Sequence, residues 1–306
     1  MHILVTGGAG FIGSHLTEQL LDTGNRVTVV DNLSSGKLSN LPKHSNLKFI
    51  QKDILACKAE DFPEKIDAIA HLAAIASVNF SWVQPLEAHH NNLSATLAVI
   101  QLCEALNISR LVFTSSAAVY GNPSQLPISE EHPTAPISPY GLQKLVSEQY
   151  ASLFSQKLGL SSVGLRLFNV FGPRQAPDSE YSGVISIFSN AMKQGKPITI
   201  YGDGKQTRDF IYVKDVAIAF TKALLAPLEA GACLICNIGT GKRISLLEIV
   251  DIMKASFPEW NAPINFAPPR LADIRHSQAD ILKASSVLDF MPDGVMNQDI
   301  MQILAA

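Results

Sequence analysis

Cysteine is scarce in this chain of 306 residues: four in all, Cys57, Cys103, Cys233 and Cys236. A set so small and scattered excludes a disulfide framework, and the Cys-x-x-Cys pair at 233 and 236 has no second pair with which to complete a zinc site. That pair lies in residues 232–238, a run that reads as a buried strand ending at Gly239, where thiols act as small apolar side chains. His89 and His90 point differently on a helix and lack partners at ligand spacing, so no metal is expected. Charge is also sparse. Lys and Arg number 24 against 27 Asp and Glu, the formal net charge is −3, and no basic run favours nucleic acid or an anionic membrane. No apolar stretch approaches the roughly 18 residues of a membrane-spanning helix. Residues 1–6 are too short, and too soon followed by glycines, to be a signal peptide, so a cytoplasmic protein is expected. The length and the 47% hydrophobic content suit one large α/β domain or two unequal ones.

What is present begins at the first residues. An apolar run at 3–6 leads into Gly7, Gly10 and Gly13, and Ile12, Leu16 and Leu20 then repeat every four residues until Gly24 and Asn25. Strand, glycine turn and helix is the reading, with the spacing Gly-x-x-Gly-x-x-Gly. Such a turn lets backbone approach a pyrophosphate at a helix N-terminus, where free N–H groups and the helix dipole favour negative charge. A second strand at 27–30 ends in Asp31, eighteen residues past Gly13, where a carboxylate accepts from an adenosine ribose. The same carboxylate repels a 2′-phosphate, so NAD is expected rather than NADP.

Strand and helix patterns then alternate. Strands are predicted at 47–50, closed by Asp53; at 67–71, leading into the small-residue stretch Leu72, Ala73 and Ala74; at 110–114, followed by Ser115 and Ser116; and at 163–168. Residues 85–106 read as a long helical segment. A further helix is capped by Ser138, with Pro139 at its first position, and runs to Leu158 before Gly159. The fold class predicted is α/β: a Rossmann-type doubly wound parallel sheet over 1–170, to which segments at about 205–240 return. Beyond it, 171–306 reads as a smaller α/β substrate-binding region, in which Arg174, Arg208, Arg270 and Arg275 fall in or beside loops.

Tyr140 and Lys144 are four apart just inside a helix start, so their side chains share a face. Bringing a tyrosine from its free pKa of about 10 close to neutrality takes on the order of 4 kcal/mol, which a nearby ammonium and a positive nicotinamide can share. Spacing alone decides nothing: Tyr201 and Lys205 repeat it around Gly202, Asp203 and Gly204, a turn in which the two need not share a face. What favours Tyr140 is its helix and the placement of Ser115 and Ser116 at the C-terminal end of a strand, where open α/β sheets bind ligands.

The glycine turn, Asp31, Ser116, Tyr140-Gly-Leu-Gln-Lys144 and Leu165-Arg-Leu-Phe-Asn-Val-Phe-Gly172 together resemble the extended short-chain dehydrogenase/reductases. Within that superfamily the chain is similar to the NAD-dependent epimerase/dehydratase family, and most of all to UDP-glucose and UDP-N-acetylglucosamine 4-epimerases, from residue 1 to about 288. The resemblance implies a UDP-sugar 4-epimerase with tightly bound NAD, acting through a transient 4-keto sugar, with Ser116, Tyr140 and Lys144 as catalytic residues. It implies NAD contacts from Gly7, Gly10, Phe11, Ile12, Gly13, Asp31, Asn32, Ser35, Gly36, Asp53, Ile54, Tyr140 and Lys144, with Leu72, Ala73 and Ala74 beside the cofactor. Ser77, Ser116, Asn169, Val184, Tyr201, Arg208, Arg270 and Asp273 match substrate-binding positions. Ser277 matches the gate of the sugar pocket, where a tyrosine excludes a 2-acetamido group. Related dehydratases carry an acidic pair directly after the position of Ser116. This chain has Ala117 and Ala118 there and so lacks an acid for elimination. A nucleotide-sugar reductase or dehydrogenase would use the same residues, and a non-catalytic nucleotide sensor would need none of them. By the same resemblance a homodimer is expected through helices at 85–106 and 138–158, although Leu93, Leu97, Ile100 and Leu145 could equally face their own sheet. The segment after 292 departs from the family pattern.

Overall fold

A computed structural model describes residues 1–176, 183–269 and 274–293; Arg270, Asp273 and the C-terminal segment from 294 lie outside the described residues. In chain order the elements are β1 (His2–Thr6), α1 (Phe11–Asp22), β2 (Arg26–Asp31), β3 (Leu47–Gln51), β4 (Ala68–His71), α2 (Val78–Val83), α3 (Pro85–His89) and α4 (Ala95–Ala105). They continue with β5 (Arg110–Ser116), α5 (Pro139–Leu158), β6 (Ser161–Leu167), β7 (Asn169–Phe171), α6 (Val184–Lys193), β8 (Ile198–Tyr201), β9 (Thr207–Arg208) and β10 (Phe210–Tyr212). The last are α7 (Val213–Leu225), β11 (Cys233–Ile238), β12 (Ile244–Ser245), α8 (Leu246–Ser256), β13 (Ile264–Ala267) and α9 (Leu282–Leu288).

Seven strands form one parallel sheet in the order β11-β6-β5-β4-β1-β2-β3. Chain direction along the sheet reverses between β1 and β4, and the crevice above that junction is the place where such sheets bind nucleotides. The sheet is the doubly wound one expected. One face packs Leu16, Leu20, Val216 and Phe220 of α1 and α7 against β1, β2 and β6; the other packs Val99, Ile100, Cys103 and Ala151 of α4 and α5 against β4 and β5. Burial on both faces explains why β1 and β6 read as near-continuous buried runs. Cys236 and Cys233 turn to opposite faces, which keeps the two thiols from sharing a ligand. A separate cluster built from Phe188, Ile200, Phe210, Ile249 and Trp260 gathers α6, α8 and the short strands beyond the main sheet.

Two local departures from the sequence reading stand out. The helix after the glycine turn starts inside the motif, at Phe11 with Gly10 as N-cap, so that Gly13 is already helical. The segment is helical from Pro85 to Ala105, one residue short of the expected end, and is divided by a π-helical turn at His90–Ser94, where Asn92 turns inward to Gln143 of α5 and to the backbone of Ile75. No helix among the described residues is long and apolar enough to cross a membrane.

Candidate active site

The glycine turn sets the first half of the site. Gly7 has φ +70°, and a Cβ on it would stand 2.6 Å from the Ala73 amide nitrogen, so the turn lies directly on the Leu72–Ala73 backbone. A Cβ on Gly13 would be 2.1 Å from the Gly7 carbonyl oxygen, so only glycine lets α1 begin this close to β1. The N-terminus of α1 has no side-chain cap and no acidic residue in its first turn. The Gly10 N–H closes the turn onto the Gly7 carbonyl at 3.1 Å, which leaves the N–H groups of the first helical residues, Phe11 and Ile12, as those an anion would satisfy, and the residues present therefore fit the pyrophosphate of NAD.

Asp31 closes β2. Its carboxylate accepts from the Ala9 N–H at 2.9 Å and the Leu33 N–H at 2.8 Å, which locks it beside the glycine turn. Asn32 donates to Asp53 at 3.0 Å, and Asp53 caps the short turn that buries Ile54. Gly36 lies against Ala9 and Asp31, with Ser35 exposed beside it. These residues are brought together on one side of the sheet.

The second half forms where β5 meets α5. Ser138 caps α5 by accepting from the Gly141 N–H at 3.1 Å, with Pro139 at the first helical position. A Cβ on Gly141 would be 2.5 Å from the Ala118 oxygen, so this glycine lets the helix settle on the turn Ala117–Tyr120 that follows Ser116. Tyr140 and Lys144 are thereby buried beside the end of β5. Lys144 Nζ donates to the Thr114 carbonyl at 3.0 Å and to Thr114 Oγ1 at 3.1 Å, and it lies 5.9 Å from the centre of the Tyr140 ring. Burial pushes the Tyr140 phenol above its usual range, with a hydrogen bond to Ser116 drawing it back. Burial draws the Lys144 ammonium down to about 8, and Glu148 opposes that. By contrast, Tyr201 ends β8 and Lys205 is exposed beyond two positive-φ glycines, so the second Tyr–Lys pair shares no helix.

Of the positions matched to substrate binding, Ser77 is the N-cap of α2, its hydroxyl accepting from the Phe80 N–H at 3.1 Å. Asn169 is exposed at the start of β7, Val184 opens α6, and Tyr201 is partly exposed at the end of β8. Ser277 lies along the strand that carries Arg208: its N–H donates to the carbonyl of Thr207, the residue before Arg208, at 3.1 Å. Ser277 is only 1% exposed. Arg174 reaches back to Glu18 of α1 at 2.6 Å, and Arg275 pairs with Asp203 on the surface.

Sequence reading missed two residues that hold these parts in place. Ser81 accepts from the Tyr140 N–H at 3.1 Å, satisfying one of the unpaired donors at the start of α5 from a different helix. Asp209 is fully buried and accepts from the amides of Thr240, Gly241 and Ala279 at 2.8, 3.0 and 3.0 Å, and from the Thr240 hydroxyl at 2.7 Å. It thus ties Arg208 to the loop of Ser277. Both act across 31 or more residues of sequence, and neither sits in a spacing that signals its partner.

The family model described as NAD dependent epimerase/dehydratase family matches residues 3–239. A protein named as a putative UDP-glucose 4-epimerase from Methanocaldococcus jannaschii is 39% identical over 308 residues, covering 99% of this chain and 97% of its own length. The solved structure of a UDP-N-acetylglucosamine 4-epimerase from Methanobrevibacter ruminantium, in complex with UDP-N-acetylmuramic acid, superposes with a TM-score of 0.94 at 38% identity, covering 99% of this chain and 97% of that one. A Thermus thermophilus UDP-glucose 4-epimerase in complex with NAD superposes at 0.89 with 35% identity, covering 100% and 98%. The uncapped glycine-turn helix, the acidic end of β2 and the Tyr-x-x-x-Lys helix against β5 are thus joined by agreement over nearly the full length, and the chain belongs to the NAD-dependent epimerase/dehydratase family.

Proposed function

We propose that this protein is a UDP-sugar 4-epimerase that keeps NAD bound through its cycle. One observation carries the reading: Tyr140, Lys144 and Ser116 converge at the C-terminal edge of the sheet, while alanine at 117 and 118 leaves no acid there to expel a hydroxyl. Relatives named for UDP-glucose and UDP-N-acetylglucosamine support the substrate class.

In this reading Gly7, Gly10, Phe11, Ile12, Gly13 and Asp31 hold the dinucleotide, with Lys144 on its nicotinamide ribose. When bound, NAD accepts hydride from C4 of the sugar and returns it. Tyr140, as phenolate, takes the proton of the 4-hydroxyl, and Ser116 hydrogen-bonds that oxygen. Lys144 stabilises the phenolate. Arg208, with Arg270 and Asp273, anchors the UDP while the 4-keto sugar turns its other face, and Tyr140 gives the proton back. Residues 171–306 then serve mainly as the sugar-nucleotide side of the site.

Ser277 at the gate favours the acetylated pair, UDP-GlcNAc and UDP-GalNAc, with UDP-glucose and UDP-galactose as further substrates. A homodimer through α5 and the helices before β5 belongs to the same reading. Ile100 and Leu93 are buried in their own protomer, so the contact would fall to the exposed Leu86, Leu142 and Leu153.

The test is direct. Protein purified without added cofactor is denatured and the supernatant assayed for NAD, while native protein is incubated with each UDP-sugar and followed by NMR. Released NAD together with interconversion of C4 epimers is expected. Turnover only with excess NADH or NADPH would favour the reductase, and no product from either pair of epimers would favour a sensor.

A further inference from the structure

One residue below the strand ends that carry Ser116, three neighbouring strands place a polar residue at one register: Ser115 of β5 pairs with Arg166 of β6, and Arg166 with Asn237 of β11. Polar groups buried at this depth need partners. Glu148 of α5 supplies them, accepting from Ser115 Oγ at 2.5 Å and from Arg166 Nε and Nη2 at 2.9 and 2.7 Å. Arg166 Nη1 donates to the Tyr120 hydroxyl at 2.8 Å, and that hydroxyl donates to Asn237 Oδ1 at 2.6 Å. Nothing in the proposed chemistry uses this cluster, yet it is a buried carboxylate one turn beyond Lys144, on the stripe that Tyr140 begins.

Lys144 donates to two neutral oxygens, both of Thr114. The charged and titratable groups around it are Tyr140 and Glu148 on its own helix, His71 on β4 and Arg166 on β6. Burial holds His71 neutral, with its proton affinity drawn down to about 3, and Arg166 is itself paired with Glu148. An ammonium in such a place tends to lose its proton unless an anion opposes the cost.

We infer that Glu148, fixed by Ser115 and Arg166, is a positioning residue whose carboxylate keeps the buried Lys144 in the ammonium form that a Tyr140 phenolate requires. This rests on the roles proposed above for Tyr140 and Lys144. Glu148 is the group opposing the downward pull of burial on Lys144, and no other cation lies between them on the helix face.

The test reads Lys144 itself. Lysine is labelled with 13C at Cε, the Lys144 resonance is assigned by its loss in Lys144→Met, and its titration is followed by NMR without substrate. Glu148→Gln keeps the shape and removes the charge, and the midpoint should fall by about one pH unit or more. Arg166→Met frees the carboxylate from its guanidinium, and the midpoint should rise. Opposite directions are a signature that loosened packing does not give. If Glu148→Gln does not fold, Glu148→Met/Arg166→Met removes the pair without stranding a charge, and its midpoint should still lie below wild type. An unchanged midpoint in a folded variant lacking Glu148 overturns the inference. Because no turnover enters this measurement, midpoints that move in a protein inactive on every UDP-sugar would sink the epimerase reading and leave the role of Glu148 standing.

Discussion

A buried phenol releases its proton reluctantly, and Tyr140 sits where burial pushes it upward, with Ser116 the hydrogen-bond partner pulling the other way. In the proposed reaction it acts as a general base, for which the Lys144 ammonium beside it must offset the cost of burial. Tyr140→Phe should lower kcat by at least about a hundredfold while UDP binding stays near wild type. Steady-state kinetics with a UDP-binding assay checks this, and retained turnover would remove Tyr140 from the mechanism. Ser277, the proposed gate, is buried with its amide tied to Thr207, so a larger side chain there must take space from its surroundings. Ser277→Tyr should suppress the acetylated pair far more than UDP-glucose and UDP-galactose, because steric exclusion outweighs the roughly 1 to 3 kcal/mol of one lost contact. Equal losses in kcat/KM for both pairs would reject the gate. Tyr140 and Lys144 were legible because a helix brings residues four apart onto one face. Ser81 and Asp209 were not, since each acts on backbone amides that only the folded chain brings near.

Among the elements, α1 and β4 carry the clearest consequences. The uncapped start of α1 depends on Gly13 passing under the Gly7 carbonyl. Gly13→Ala should therefore abolish copurification of NAD and cost on the order of 1 to 3 kcal/mol of stability through overpacking. The assay is NAD content per folded protomer, and wild-type content would contradict the reading of the turn. At the end of β4, His71 accepts or donates at Thr6 Oγ1 and Thr96 Oγ1 and stays neutral when folded, with its proton affinity drawn down to about 3. Unfolded, it takes a proton below its ordinary value of 6.5. Between those limits the unfolded state binds the extra proton, so His71 makes stability fall as pH falls. The slope is about 1.4 kcal/mol per pH unit at most. Urea unfolding of His71→Gln between pH 4 and 6 should lose about that much slope, and slopes equal to wild type would refute it. The helix after the glycine turn was legible in kind but not in its first residue, because Gly10 caps it without a side chain. The π-helical turn in 85–106 was not legible, since it is held by Asn92 reaching Gln143 and the Ile75 backbone, partners that only the folded chain brings near.

At the scale of the molecule, the parallel sheet was readable because its strands are buried on both faces and appear as apolar runs between helices. The parts beyond α6 were less readable: β9 and β12 are two residues each, and their pairing is set by Arg208 and Ile244 meeting across the fold rather than by any local pattern. The apolar residues left outside, among them Leu86, Leu142 and Leu153 on α3 and α5, support the proposed dimer. Light scattering at micromolar concentration should give twice the protomer mass, and a clean monomer would remove the dimer. The central claim is that the sugar is oxidised and reduced at C4 without leaving the protein. It is tested most directly with UDP-GlcNAc deuterated at C4, incubated with enzyme to which no cofactor is added and followed by NMR. UDP-GalNAc that retains deuterium at C4, with none appearing in water, is the predicted result. Epimer that has lost its deuterium to solvent would contradict the account.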